Sequence, residues 1–219
     1  MVMTQQERTL RRRYQQSISR HRRAANAASW FALGSILAEA AGMSPELAEE
    51  LSAGLGDPIA CWQKCVRLAP KHVEAWQELG RAYFERDDHG AAERAFKRAV
   101  KLDPHDAEAW SRLAVLTMPA PGEEDPARVR RAEKYLRRAI DEDPRGKKLG
   151  SEPYAWLAEA AERLRDDPGA LVWYAEANRR GDRYAAARKQ VIEDHGARRR
   201  AKGPRPTLPA KAARSSARR

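Results

Sequence analysis

Apolar side chains recur along this chain at spacings of three, four and seven, the period that gathers them on one face of a helix. The stretch "WQELGRAY" sets Trp76, Leu79, Gly80 and Tyr83 on one stripe, and "AERAFKRAV" sets Ala92, Phe96 and Ala99 on another. Pro104 then closes the stretch, because proline cannot continue a helix. The rhythm returns. Trp76 and Trp110 lie 34 residues apart, as do Pro70 and Pro104. "WSRLAVLT" and "YAWLAEAA" again put Leu three residues and a small residue four residues after the aromatic. "AEKYLRRAI" and "ALVWYAEAN" again give Ala, then Leu136 or Tyr174 four later, then Ala139 or Ala177. Such a pattern predicts pairs of short antiparallel helices, in which small residues let the backbones approach and large ones fill the space beside them.

This order of aromatic, Leu-Gly, Tyr, Ala, Phe and Pro resembles the tetratricopeptide repeat family. Residues 73–106 match every element. Residues 107–146 match with six extra residues in the hairpin, around "MPAPGEEDP", and residues 151–184 match with Asp182 where the closing Pro would stand. An irregular first unit over 26–72 pairs "WFALGSIL" with "IACWQKCVRLAP" and needs twelve extra residues, for which "MSPELAEELSAGLG" predicts a short helix of its own. Residues 182–196 read as a capping helix, with Asp182 at its start, Tyr184, Val191 and Ile192 turned inward and Gly196 at its end. Within a basic extension over 1–25, "TQQE" fits a capping box opening a helix over 4–23. Residues 197–219 have Leu208 as their one large apolar side chain and are expected to be disordered. The resemblance implies an all-α, right-handed α-solenoid of three to four helix-turn-helix hairpins with a C-terminal capping helix.

Composition sharpens the class. Hydrophobic residues make up 42% of the 219, and the wealth of Ala and Arg favours helix. Two cysteines, Cys61 and Cys65, are too few and too close for a disulfide framework, so a reducing, cytoplasmic setting is expected. The net charge of +11 is uneven. Residues 1–25 hold seven Arg and one Glu, residues 196–219 hold nine Lys or Arg and no acid, and the span between has 26 basic against 30 acidic side chains. The uncharged run Ala24–Ala38, which follows "RHRR", has two readings. It has the look of a targeting segment. It also spaces Trp30, Leu33, Gly34 and Leu37 as a repeat helix would, and it is shorter than the roughly 20 residues a membrane-spanning helix needs.

The search for chemistry returns structural explanations. Cys61 and Cys65 stand four apart on one helix, but no further Cys or nearby His completes a metal site, and Cys65 aligns with Ala99. His21, His72, His89, His105 and His195 are scattered, with no His–Glu–x–x–His or phosphate-loop pattern. Gly80 reads as a helix-contact position, Gly90 as a turn, and the pairs Asp87–Asp88 and Asp166–Asp167 as solvated hairpin turns. No catalytic residues, metal or cofactor are expected, and the chain does not read as an enzyme.

A second stripe on each first helix lies beside the core stripe, and the resemblance implies that it lines a concave binding surface. It carries Glu74, Gln77, Arg81 and Phe84, then Glu108, Ser111, Val115 and Met118, then Glu152, Ala155, Glu159 and Glu162. Lacking the Lys and Asn with which some family members grip a terminal carboxylate, this stripe suits an amphipathic helix or a basic peptide of a protein partner. The competing explanation for Glu74, Glu108 and Glu152 is helix-start electrostatics. A different class of function would act through the ends. Arg198, Arg199, Arg200, Lys202, Arg205, Lys211, Arg214, Arg218 and Arg219 could hold nucleic acid phosphates or an anionic surface, blind to sequence because no aromatic interleaves them. The expectation is therefore a scaffold or adaptor, with a nucleic-acid or ribonucleoprotein accessory role as the alternative.

Overall fold

Every described helix but the one over Glu152–Arg163 begins where a polar side chain takes up a backbone N–H that the first turn leaves free. The computed structural model describes residues 4–53 and 55–201, with side chains as far as Asp194. Thr4 and Glu7 form a reciprocal capping box at the start of α1 (Gln5–Arg23), and Asn26 and Ser29 form another at α2 (Ala27–Met43). Ser44 caps α3 (Pro45–Ser52), and Asp57 caps α4 (Pro58–Leu68). His72 caps α5 (Val73–Glu85) through a ring nitrogen. Asp88, Asp106 and Asp125 cap α6 (His89–Leu102), α7 (Ala107–Thr117) and α8 (Pro126–Glu142). After α9 (Glu152–Arg163), Asp166 caps α10 (Asp167–Arg179), and the Asp182 carboxylate accepts from the N–H groups of Tyr184 and Ala185 at the head of α11 (Arg183–Ala201).

The eleven helices stack in series as an all-α solenoid, with no strand among the described residues. Four hairpins form it: α2 with α4, α5 with α6, α7 with α8, and α9 with α10. α3 is inserted in the first hairpin and packs on α2. α1 covers the outer face of α2 through Leu10 and Tyr14, and α11 covers α10. Each second helix also packs on the next first helix, so one apolar interior runs the length of the stack.

The contact at the middle of each hairpin is a matched pair of sizes. A Cβ on Gly34 would sit 2.6 Å from the Trp62 indole nitrogen, and one on Gly80 would sit 2.8 Å from the Phe96 ring. At the same register the later hairpins set Ala114 with Leu136 and Ala158 with Tyr174. A second device recurs in the second and third hairpins and ties each to the unit before it. The Trp76 indole N–H donates to the Pro70 carbonyl at 3.0 Å, and Trp110 donates to Pro104 at 2.9 Å. The recurring Trp thus satisfies a carbonyl of the turn between units, one residue past the C-cap of the preceding helix.

Several local expectations are corrected. Tyr184 and Val191 point outward, 84% and 42% exposed, while Ala185 and Ile192 are buried. Ala185 and Ile192 stand seven apart on the inward stripe, and Tyr184 and Val191 lie one residue, about 100°, off it. α11 passes through Gly196 to Ala201, since one helical glycine costs only about 1 kcal/mol among good helix formers. Gly90 lies in the first turn of α6 rather than in a turn between helices. The aspartate pairs do lie in the hairpin turns, with Asp87, Asp88 and Asp166 exposed; Asp88 and Asp166 also cap helices, and Asp87 and Arg165 hold the positive φ (58° and 60°) that the tight hairpins need.

Candidate functional site

Helices α5, α7, α9 and α11 are linked in turn by side chains. Gln77 of α5 donates to Asp106 at the head of α7, and Arg81 of α5 bonds Glu108 of α7 at 2.9 Å. Arg112 of α7 faces Glu152 of α9 at 3.9 Å. Glu162 of α9 accepts from Arg188 of α11 at 2.6 Å. No such bond joins the second helices to one another among the described residues. The row α5, α7, α9, α11 is therefore the tight side of the stack.

That row carries the second stripe, and the structure sorts its members. Ser111 (4% exposed) and Met118 (8%) are buried, so they are not available to a partner. Met118 sits among Val129, Ala132 and Ala160, because α7 ends at Thr117 and Met118 turns into the interior. Phe84 and Val115 are half-buried, and Phe84 packs beside Phe96 and the His89 ring. Glu74 is exposed beside His72. The remaining acids are engaged within the chain. Arg81 serves Glu78 and Glu108, Arg112 faces Glu152, and Arg163 grips Glu159 with two nitrogens at 2.7 and 3.0 Å. Burial pushes the Glu78 carboxyl above its usual range, against the pull of Arg81. The stripe is thus largely charge-compensated rather than an open acidic strip for a basic peptide.

Where α9 meets α11 the row opens into a recess of about 540 Å³. It brings Ala155, Glu159 and Glu162 together with Trp156, Tyr184 and Arg188. Glu162 organises it, accepting from the Tyr174 hydroxyl at 2.5 Å and from Arg188 at 2.6 Å. Burial and the Glu162 acceptor push the Tyr174 hydroxyl up to about 12, so it stays a donor across the physiological range. Beside these bonded groups, of which Arg188 stays exposed, the recess offers an apolar and aromatic surface from Ala155, Trp156 and the exposed Tyr184 ring. The sequence signal for Tyr184 was its place one residue before Ala185, which shares the seven-residue inward spacing with Ile192.

Of the residues weighed for chemistry, the two cysteines are core side chains. Cys61 and Cys65 are fully buried and free, and burial pushes the Cys61 thiol up to about 11, far from a reactive thiolate. No group of three or more His, Cys, Asp or Glu able to hold a metal occurs among the described residues. No helix among them is long and apolar enough to cross a membrane. Of the basic tail, Lys202, Arg205, Lys211, Arg214, Arg218 and Arg219 lie outside the described residues, and Arg198, Arg199 and Arg200 lie on the end of α11 beyond the described side chains.

Comparison with known proteins agrees with this architecture. Residues 73–116 match the tetratricopeptide repeat family model. No curated protein matches the sequence. Among solved structures, a crystal structure of MamA is similar over 85% of this chain and 99% of that one, with a TM-score of 0.61 at 20% identity. A MamA structure from AMB-1 is similar over 72% and 80%, with a TM-score of 0.52 at 16% identity. At such identities the likeness is one of fold.

Proposed function

We propose that this chain, a tetratricopeptide-repeat protein, is a protein-interaction scaffold that holds a helix or extended segment of a partner along the row α5, α7, α9, α11. The observation that carries the reading is the recess between α9 and α11, with its exposed Tyr184 and half-buried Trp156. Since Glu159 and Glu162 are engaged by Arg163, Tyr174 and Arg188, the recess favours an apolar or aromatic anchor over a Lys or Arg. One large side chain buried there would contribute roughly 1.5–3 kcal/mol. Exposed Glu74 and half-buried Phe84 and Val115 extend the surface toward α5. A cytoplasmic setting fits the two free cysteines.

The test is affinity purification of the full chain beside Ala155→Arg and Tyr184→Glu, each checked for unchanged helix content. A partner held by apolar anchors should stay bound at about 0.5 M salt, where screening acts within roughly 4 Å. Both substitutions should release it. A partner retained equally by both variants would place the binding surface elsewhere.

A further inference from the structure

The two rows of helices differ in how they use charge. The four first helices, α2, α5, α7 and α9, carry three basic and eight acidic side chains; the four second helices, α4, α6, α8 and α10, carry thirteen basic and six acidic. The basic side chains of the first row are all taken: Arg81, Arg112 and Arg163 each face an acid of this chain. On α6 and α8, by contrast, only four of ten are paired, Lys97 with Glu93, Arg128 with Glu123, Arg137 with Glu133 and Arg138 with Glu142. The side chains of Arg94, Arg98, Lys101, Arg130, Arg131 and Lys134 make no ion pair or hydrogen bond among the described residues, and all but half-buried Arg98 are exposed. The pattern is registered from repeat to repeat. "ERAFKR" and "EKYLRR" set Glu93 and Glu133 to hold the base four residues on, leaving Arg94 and Lys134 free at the same place on adjacent hairpins.

We infer that the α6–α8 face binds the sugar–phosphate backbone of nucleic acid, through contacts that do not read sequence. Cations four residues apart advance about 6 Å along a helix, so each helix offers a short line of donors for successive phosphates. Arg94, Arg98 and Arg131 add the guanidinium fork suited to phosphate oxygens. A shallow trough of about 400 Å³ along α8, lined by Arg130, Lys134, Arg137 and Arg138 with Glu133 and Asp141, is the place where a strand would lie. No large apolar side chain is exposed on α6 or α8, since the exposed ones are Leu68, Val172, Tyr184 and Val191. That absence removes the apolar anchors that a protein interface or an inserted membrane helix would use. It also removes base stacking, so the contacts are electrostatic. This surface is independent of the recess at α9 and α11.

The test uses the full chain, a fluorescent mixed-sequence DNA duplex of about 30 base pairs, and anisotropy titrations from about 50 to 200 mM salt. Arg94→Gln, Arg98→Gln, Arg131→Gln and Lys134→Gln are combined in one variant. It should bind at least tenfold more weakly at the low-salt end, with a log–log salt slope shallower by about 3 to 4. Replacing the three arginines by Lys, which keeps the charge, should restore the slope. Unchanged thermal unfolding separates lost binding from lost folding, because these side chains make no ion pair or hydrogen bond among the described residues. An unchanged affinity and slope in the Gln variant, as when the tail alone holds the phosphates, overturns the inference. So does a parent protein that ignores the duplex but binds phosphatidylserine vesicles or poly-glutamate through these same residues.

Discussion

The second hairpin (α5 and α6) and the third (α7 and α8) are built on one frame and filled differently. In the second, Gly80 admits the Phe96 ring; in the third, Ala114 meets the smaller Leu136. Both begin with a Trp whose N–H reaches the carbonyl of a proline six residues back. Both second helices are followed by Asp-Pro, yet the two aspartates do different work. The Asp103 carboxylate takes one backbone donor, the N–H of His105 at 3.0 Å. Asp143 takes three, from Lys147, Lys148 and Leu149 at 2.8–3.1 Å, because a longer linker wraps around it. The lesson is that the repeat conserves a summed volume and a set of satisfied helix ends, not residue identities.

The largest expected effect is at the big member of the size pair. Phe96→Ala should cost about 3–5 kcal/mol in denaturant unfolding, since the space opened beside Gly80 has no side chain to fill it. Gly80→Ala comes next, at about 1–3 kcal/mol for overpacking, less about 1 kcal/mol returned as helix propensity. Combining Gly80→Ala with Phe96→Leu copies the third hairpin's pair, and should be no less stable than Phe96→Leu alone. Strict additivity of the two losses would break the volume argument.

Asp143→Ala should cost about 1–2 kcal/mol by stranding backbone donors, whereas Asp103→Ala should cost less. Its pH dependence distinguishes the two sites further. Burial raises the Asp143 carboxyl, but the combined pull of the Leu149, Lys148 and Lys147 N–H groups and the Lys148 charge holds it below its usual range. A carboxylate lowered in the folded state contributes its full stability above the unfolded pKa and loses it as pH falls through the folded value. The Tm difference between the parent and Asp143→Asn should therefore be widest near neutral pH and close in acid. The smallest effect belongs to Trp76→Phe and Trp110→Phe, about 1 kcal/mol each for the lost indole bond. Near-equal values would support the shared frame, and a marked inequality would mean that one of the two bonds is incidental.

Much of the frame was legible in the chain because it is local. Capping at Thr4 and Asp182 and the helix break at Pro104 follow from residues within one or two turns of each other, while the helical period sets Gly80 and Phe96 on the facing stripes of one hairpin. The candidate surface was only half legible. Helical spacing identified the stripe that holds Glu108, Glu159 and Glu162, but not that each acid is matched by an arginine. Arg163 is four residues from Glu159, whereas Arg81 is 27 from Glu108 and Arg188 is 26 from Glu162. The same distance in sequence hid the outward turn of Tyr184 and the burial of Ser111 and Met118.

Taken alone, the sequence determined the kind of helix at each place, the pairing of small with large residues inside each hairpin, and the excess of positive charge at both ends. The helices depend on a backbone period and on neighbours a few residues away, the size pairs on stripes that a short hairpin turn brings face to face, and the charge on composition alone. Only the tertiary structure decided which charges are spent and which are free, and where the tight side opens into a recess. Ion pairing between helices in different hairpins depends on the stacking of one unit on the next, and Coulomb attraction at 3 Å has no counterpart in spacing along the chain.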